Sequence, residues 1–422
     1  MTARRAAFVL RLVAPLAGLT LLAVFAALYL GDRDLYFRAM GLWGVPAYRY
    51  PFLDWEGVSA FVECWRRGIN VYVSDPCDVR GQLFNYSPLW LEAKFVPFGP
   101  LWRNVIGVGM DVTFFASLYS VFRPKTRGEA ALFTLASVSS MVAFAAERAN
   151  VDLALFVMIV GAGLLASGGL GRRLLAYGLI FFAGLLKFYP GIALVTALRE
   201  RLAILAGVAA VAVAATTLFA YGYRHELAAV ARSITVGLWG GGVFGAVNLV
   251  QAFSAQVPSR AVTLAAVGLA AICAGAVTVS FLRDRGWVEA AAAMDRREQT
   301  MFVLGAAIMV GCFFAGRNGN YRGIFLLPVV AGLIAMRRAC ADTSTRSRLG
   351  WLVAIVIALM WDSAVMRPVY DMSLKLFFLV WCVFEVLFWY AIASLLAVLI
   401  VFAAQSQVFA DLHGLVVRPR RP

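Results

Sequence analysis

The sequence predicts an all-α polytopic membrane protein: one integral-membrane domain over residues 1–422, about 12 transmembrane helices, and a long first loop carrying an interfacial amphipathic helix. Three observations predict this class. Hydrophobic residues make up 62% of the 422 and charged residues only 14%, where soluble domains carry about a quarter charged residues. The mean hydropathy is +0.81. Apolar runs recur at about the 20 residues that a helix needs to cross a hydrocarbon core about 30 Å thick. Barrel strands alternate and are about half as long, so helices alone satisfy the backbone over runs this continuous.

Taken in order between charged breaks, the apolar runs fall near 6–30, 101–121, 130–146, 149–167, 202–222, 261–281, 299–316, 321–336, 349–365 and 373–402. The first follows Arg4 and Arg5, includes Arg11, and is too long for a typical signal-peptide core, so it reads as an uncleaved anchor. Segment 174–198 is interrupted by Lys187-Phe188-Tyr189-Pro190. A proline there removes a helix donor and disfavours helix in the residue before it, so the segment reads as two short helices in a hairpin. Loop arginines support that reading, because basic loops stay cytoplasmic. If the hairpin returns to the side it entered from, the termini and the basic breaks at 123–127, 172–173, 199–201, 283–297 and 337–348 share one side and hold more than half of the 38 lysines and arginines. The chain is then a multi-pass cell-membrane protein with both termini cytoplasmic and loop 31–100 extracytoplasmic.

The net charge of +15 follows the same insertion rule, being spread over loop ends, and implies no nucleic-acid partner. Neither the two histidines nor the six cysteines form a metal-ligand spacing, and no phosphate-binding G-x-x-x-x-G-K-[ST] run is present, so no metal and no cofactor are expected. Cys64 and Cys77 both fall in the long loop, where an oxidising compartment lets them pair; otherwise they are two unrelated thiols. A bridge there stabilises by about 3 kcal/mol at most.

Loop 31–100 is not a bland connector. Trp55, Val58, Phe61, Val62 and Trp65 recur at helical spacing, with Glu56, Ser59, Glu63 and Arg66 on the other face. That pattern describes a helix lying in the membrane interface, with Asp54 at its N-cap. Shorter outer breaks are also charged: Glu147-Arg148-Ala149-Asn150-Val151-Asp152, Arg317-Asn318-Gly319-Asn320-Tyr321-Arg322, and Arg367 with Asp371. Arginine is disfavoured in short outer loops, and Lys187 within a span costs about 2.5–3.5 kcal/mol on insertion scales. Two readings stand. The cations are structural partners of Glu147, Asp152 and Asp371, or they line an outward cavity that receives a lipid-linked anion such as phosphate.

The order of these segments resembles a known family. An acid in a long first loop, then Gly68-Ile69-Asn70-Val71-Tyr72, then Phe84-Asn85-Tyr86-Ser87-Pro88, resembles the integral-membrane GT-C glycosyltransferases, specifically glycosyltransferase family 87. Further on, Glu147-Arg148-Ala149-Asn150 resembles that family's Gly-Gln-x-Asn, Lys187-Phe188-Tyr189-Pro190 its Lys-x-x-Pro, and Asn320-Tyr321-Arg322 leading to Pro328 its late tyrosine segment. The likeness spans about residues 1–340, and it rests on order and spacing. Ser87 and Arg148 depart from the family's usual proline and glutamine.

The resemblance implies a GT-C-like bundle and an inverting, metal-independent transferase. Such an enzyme moves a hexose or pentose, mannose foremost, from a polyprenyl-phosphate donor to a lipid or glycan acceptor hydroxyl. The attacking hydroxyl needs a base and the departing phosphate needs cations. Asp54 is the expected base with Glu56 in reserve. Lys187, Arg322, Arg148 and Arg317 are the expected phosphate contacts, and Tyr86, Asn150, Asn320 and Tyr321 the sugar or acceptor contacts. A transporter or flippase of a lipid-linked sugar is the alternative, since broken helices also mark transport sites. A flippase needs charge along a route through both leaflets, whereas charges here gather outside; Glu385 is the exception.

Overall fold

The structure, a computed structural model, describes residues 3–233, 242–256 and 259–417. Among these the chain is almost wholly helical. The first helix, α1 (Ala3–Gly31), leads into the long loop, which folds into α2 (Arg33–Leu42), α3 (Leu53–Arg66) and a short 3-10 turn at Pro88–Trp90. Next come α4 (Pro100–Val121), the bent pair α5 (Arg127–Ser137) and α6 (Ser140–Arg148), α7 (Asp152–Leu165) and α8 (Leu170–Lys187). A 3-10 segment, Tyr189–Arg199, precedes α9 (Leu202–Gly222), α10 (Arg224–Ser233), strand β1 (Val243–Phe244) and α11 (Val247–Gln256). The remainder is α12 (Arg260–Arg283), α13 (Arg285–Ala292), α14 (Arg296–Ala315), strand β2 (Asn318–Gly319), a 3-10 segment Asn320–Phe325 and α15 (Leu326–Ala339). It closes with α16 (Thr343–Met360), α17 (Asp362–Met372), α18 (Leu374–Ala404) and α19 (Gln407–Val417).

Among the described residues, six helices are long and apolar enough to cross a membrane: α1, α4, α9, α12, α14 and α18. The count reaches eight if the bent pairs α5–α6 and α16–α17, broken by 47° and 55°, each form one span. The twelve full spans expected from apolar runs are therefore not all present as long helices. Helices α7 and α15 have 14 residues each, and the hairpin contributes one 18-residue arm and one 11-residue 3-10 arm. A run of apolar residues marks burial in lipid or in protein alike, and α15 is buried by its neighbours over most of its length.

Local sequence explains where the helices start. Asp32, Thr126, Asp284, Asp295, Asp342 and Ser373 each accept a hydrogen bond from a first-turn N–H of the helix that follows. The core runs through α14 and α15, wrapped by α4, α7 and α16, with Phe302, Phe313, Leu327 and Leu333 fully buried. At the other extreme, no residue of α9 is buried.

The hairpin forms as the proline break requires. Phe188 takes φ +61° and turns the chain, so that the 3-10 arm runs back along α8. Gly184 and Gly191 face each other across the arms; a Cβ on Gly184 would lie 2.9 Å from the Gly191 Cα, so position 184 needs the bare backbone, whereas a Cβ on Gly191 would meet the Gly184 Cα at an ordinary 3.7 Å. At the far end Arg173 meets Glu200 at 2.6 Å, with Tyr177 donating to the same carboxylate. Both arms thus start and finish at the end of the bundle that carries the basic breaks. There Arg338 bridges Glu129 and Glu298, and Arg348 reaches Asp284. Arg199, read from sequence as a mere loop-end cation, is tucked in among Thr300, Gln299 and the Phe402 ring.

Helix α3 corrects two expectations. It begins at Leu53, with Phe52 as the capping residue in the left-handed region and no side-chain cap, so Asp54 sits inside the first turn. Nor does α3 lie open on an interface: Trp55, Val58, Ser59, Phe61 and Val62 are all buried against protein. A 3.6-residue apolar period reports that a face is covered, and here the rest of the loop, α4 and the α6–α7 corner cover it. Cys64 and Cys77 are joined as a disulfide that ties α3 to the chain 13 residues on.

The hairpin generates a topological expectation. Reporter fusions after Arg127, Arg173, Arg201, Arg285 and Arg348 will report the cytoplasm, and fusions within 31–85 and 224–233 the opposite side. An extracytoplasmic signal at Arg285 would break the parity and overturn the hairpin.

Candidate functional site

Three breaks that looked anomalous in sequence meet at the turn of the hairpin. The α6–α7 corner brings Asn150 and Asp152, α8 ends on Lys187, and the 3-10 segment after α14 brings Tyr321 and Arg322. Lys187 Nζ lies 2.5 Å from Asp152 Oδ1 and 3.1 Å from Asn150 Oδ1, and both Tyr86 and Tyr321 place a ring centroid 5.3 Å from it. Arg322 approaches Asp152 Oδ2 at 3.7 Å, donates to Asn318 Oδ1 and stacks 4.7 Å from the Tyr189 ring. Burying a lysine costs several kcal/mol unless it is paired and hydrogen-bonded, and Lys187 is both.

The network continues into the long loop. Asn150 Nδ2 donates to Asp54 Oδ2 at 2.7 Å, so one amide joins Lys187 to the acid of α3. Arg80 donates to Asp54 Oδ1 at 3.3 Å, and Arg148 stands 3.8 Å from the same oxygen. Trp90 Nε1 donates to the Leu186 carbonyl at 3.1 Å, fastening the loop to the hairpin. Burial pushes the Tyr86 phenol well above its ordinary value, so it faces the site as a neutral donor.

Among the described residues three non-glycine residues have left-handed φ, each within two positions of a residue of this network: Phe52 at +69°, two before Asp54, Ala149 at +41° before Asn150, and Phe188 at +61° after Lys187. Each such position costs about 1–3 kcal/mol and persists only where its surroundings over-determine it.

A cavity of 710 Å³ opens here, lined by Tyr86, Lys187, Tyr321, Arg322 and Arg317, with Asn85, Ser87, Tyr189, Cys312 and Asn318 among the rest. Strands β1 and β2 pair antiparallel, Val243 with Gly319 and Phe244 with Asn318, and bring Val243 to the wall. The three guanidinium nitrogens of Arg317 are buried and have no hydrogen-bond partner among the described residues. Arg317 thus borders the cavity without a hydrogen-bond partner among the described residues. At Phe188 this polar space adjoins a second cavity of 890 Å³ between the hairpin and α9, lined by Phe181, Leu185, Leu194, Val213 and Phe219.

Of the residues expected from sequence, Lys187, Arg317, Arg322, Tyr86 and Tyr321 line the cavity together. Asn150 stands one hydrogen bond behind it and Asp54 two. The other three turn elsewhere. Glu56 pairs with Arg103 of α4 at 3.6 Å, with Tyr50 hydrogen-bonding it as well. Arg148 is occupied by Glu147 at 3.2 Å, by the Pro46 carbonyl and by the Phe144 ring. Asn320 donates to both oxygens of Asp362 and to Ser363. Arg148 is thus structurally paired, while Arg317 has no hydrogen-bond partner among the described residues. Sequence reasoning missed Arg80, Tyr189 and Asn318. The last two lie inside segments already singled out; nothing in the sequence marks Arg80.

The chain matches no protein-family model, no curated protein and no solved structure.

The contrast between paired and unpaired cations is testable by stability alone. Lys187→Met leaves Asp152 buried without its closest partner, a kind of loss that costs about 3–5 kcal/mol, and will lower the thermal midpoint. Arg317→Gln removes a charge that nothing in the described protein compensates, so its midpoint will be unchanged or higher. A matching fall in both would mean that Arg317 is a structural cation.

Proposed function

We propose that the chain is a membrane-embedded glycosyltransferase that takes a sugar from a polyprenyl-phosphate carrier and passes it to a hydroxyl of a lipid or glycan acceptor on the extracytoplasmic face. The observation that supports it most is Arg317. Its guanidinium, without a hydrogen-bond partner among the described residues, shares a wall with Lys187 and Arg322, in a polar cavity that adjoins an apolar one at Phe188. A phosphate bearing a long apolar chain has the matching chemistry: the phosphate takes the guanidinium fork and the chain takes the apolar cavity between the hairpin and α9. That the transferred group is a sugar, mannose foremost, rests on the family resemblance. In this reading the bundle is a GT-C-like scaffold with cytoplasmic termini, built up by the shorter helices beyond the six to eight long ones.

In the proposed reaction the acceptor oxygen attacks the anomeric carbon from the face opposite the phosphate. The bond from that carbon to the phosphate oxygen breaks, and the configuration inverts. The departing polyprenyl phosphate gains a negative charge, which Lys187, Arg322 and Arg317 stabilise. The hydroxyl proton goes to Asp54. Asn150, hydrogen-bonded to Asp54 and Lys187 at once, fixes the acid relative to the phosphate site. Tyr86 and Tyr321 flank the position of the sugar. Glu56, held by Arg103, is displaced from the role of reserve base, and Arg148 and Asn320 support the site by holding α3, α6 and α17 in place. The cations that line the cavity lie together at the hairpin turn rather than along a route through the bundle, which favours an enzyme over a flippase.

Purified protein incubated with a panel of polyprenyl-phosphate sugars will consume one of them and release polyprenyl phosphate. Binding of every donor without consumption would favour the flippase. Asp54→Asn will lower turnover about a hundredfold to ten-thousandfold while donor binding persists, because the amide keeps the volume but not the proton acceptor. Glu56→Gln will remain within a few-fold of wild type. If Asp54→Asn stays active, Asp54 is not the base.

For the phosphate site, Lys187→Ala and Arg322→Ala will weaken donor use far more than Arg172→Ala, an exposed cation at the opposite end. Equal losses in all three, tracking loss of folded protein, would return these cations to a structural role.

A further inference from the structure

Asp54 is gripped at both oxygens, and the grip on Oδ1 comes from a residue with no place in the family resemblance. Arg80 lies outside any helix or strand, between α3 and the Pro88–Trp90 turn, yet its guanidinium is only 20% exposed and 3.3 Å from Asp54 Oδ1. The segment that carries it is built in layers. Cys77 is covalently tied to Cys64 of α3, the helix that bears Asp54. Asp75 Oδ1 accepts from the backbone N–H groups of Cys77 and Asp78 at 3.0 and 3.3 Å and turns the chain. The wholly buried Asp78 carboxylate then accepts from the N–H groups of Arg80 and Gln82 at 3.2 and 3.1 Å, and its Oδ2 lies 3.6 Å from Arg80 Nε. Gly57, one turn along α3 from Asp54, leaves the space: a Cβ there would stand 2.7 Å from Arg80 Nη2.

We infer that Arg80 is the positioning residue for Asp54, presented to it by the disulfide-closed 64–77 loop. Acid and arginine are both anchored to α3, one directly and one through the Cys64–Cys77 bond, so the orientation of the carboxylate is set before any substrate enters. Asn150 holds the other oxygen from the α6–α7 corner. The pair is more enclosed than an exposed surface ion pair, whose contribution is commonly negligible. Its catalytic meaning rests on the reading of Asp54 as the base; the positioning contact itself does not.

Both parts are tested on the full-length protein. Asp54 is labelled with a water-soluble carbodiimide and quantified by mass spectrometry in wild type, Arg80→Ala, Arg80→Lys and Cys64→Ser/Cys77→Ser. Labelling will be faster in Arg80→Ala and in the serine pair, near wild type in Arg80→Lys, and slowed again in Arg80→Ala by millimolar guanidinium. Glu56, whose partner Arg103 is untouched, will label at an unchanged rate in all of them. Turnover of the donor by Arg80→Ala will fall about tenfold to a hundredfold in kcat with KM little changed, and guanidinium will restore part of it, as expected for lost orientation of a reacting group. Unchanged Asp54 labelling in Arg80→Ala overturns the inference, as does a loss of turnover that guanidinium and lysine both fail to rescue. If wild type consumes no donor while Asp54 labelling still follows Arg80, the positioning contact stands and the glycosyltransferase reading falls.

Discussion

The buried charge of Lys187 is the constraint on which the rest of the structure depends. An ammonium enclosed at the end of an apolar helix must be given partners, and its partners come from separate segments: Asp152 and Asn150 from the α6–α7 corner, Tyr321 from the segment after α14, Tyr86 from the long loop. Apolar packing tolerates shifts and repacking so long as volume is kept. A hydrogen-bonded ion pair does not, because an unmet charge is far more costly than an imperfect methyl contact. The polar cluster therefore dictates how far each helix runs and which breaks must meet. The hairpin, the bent α5–α6 pair and the 3-10 segment before α15 all end at this point.

The two ends of the bundle use arginine differently. At the end with the basic breaks, Arg338, Arg173 and Arg348 each find acids on neighbouring elements and lace those elements together. At the hairpin turn Arg148 behaves the same way, joining Glu147 and Asp54. Arg317 does not: among the described residues its guanidinium has no hydrogen-bond partner, and that sets it apart from the bracing arginines.

Membrane class, the hairpin and the clustering of charged breaks were legible in the sequence because each follows from a local rule: hydropathy, proline chemistry, the cost of a buried lysine. Lys187 and Arg322 follow from such rules, whereas Tyr86 and the contact role of Tyr321 enter only through the family resemblance. What could not be read depends on distant partners. Aspartate before an apolar stripe is usually a helix cap, which points to Asp54, but Phe52 turns left-handed and the helix starts two residues earlier than that cap would place it. Arg80 is 26 residues from Asp54, and Asn320 is 42 from Asp362; no periodicity links them. Glu56 and Asp54 are equivalent in sequence, and only the approach of Arg103 from α4 divides them. The span count failed for a related reason, since a short helix buried by protein and a long one buried by lipid carry the same residues.

Phe188 borders both cavities, one lined by cations and tyrosines, the other by aliphatic and aromatic side chains. A ligand lodged across that border sits in two solvents at once, and each half is selected by a different law. Headgroup contacts grade ligands by charge and geometry, whereas the apolar half grades them by length, at about 0.8 kcal/mol for each methylene taken from water. A soluble sugar phosphate carrying a flawless headgroup would therefore still be outcompeted by a cruder headgroup on a long chain. Discrimination of this kind is enforced by the bilayer as much as by the protein, since a molecule that partitions into lipid is already concentrated beside α9 before recognition begins.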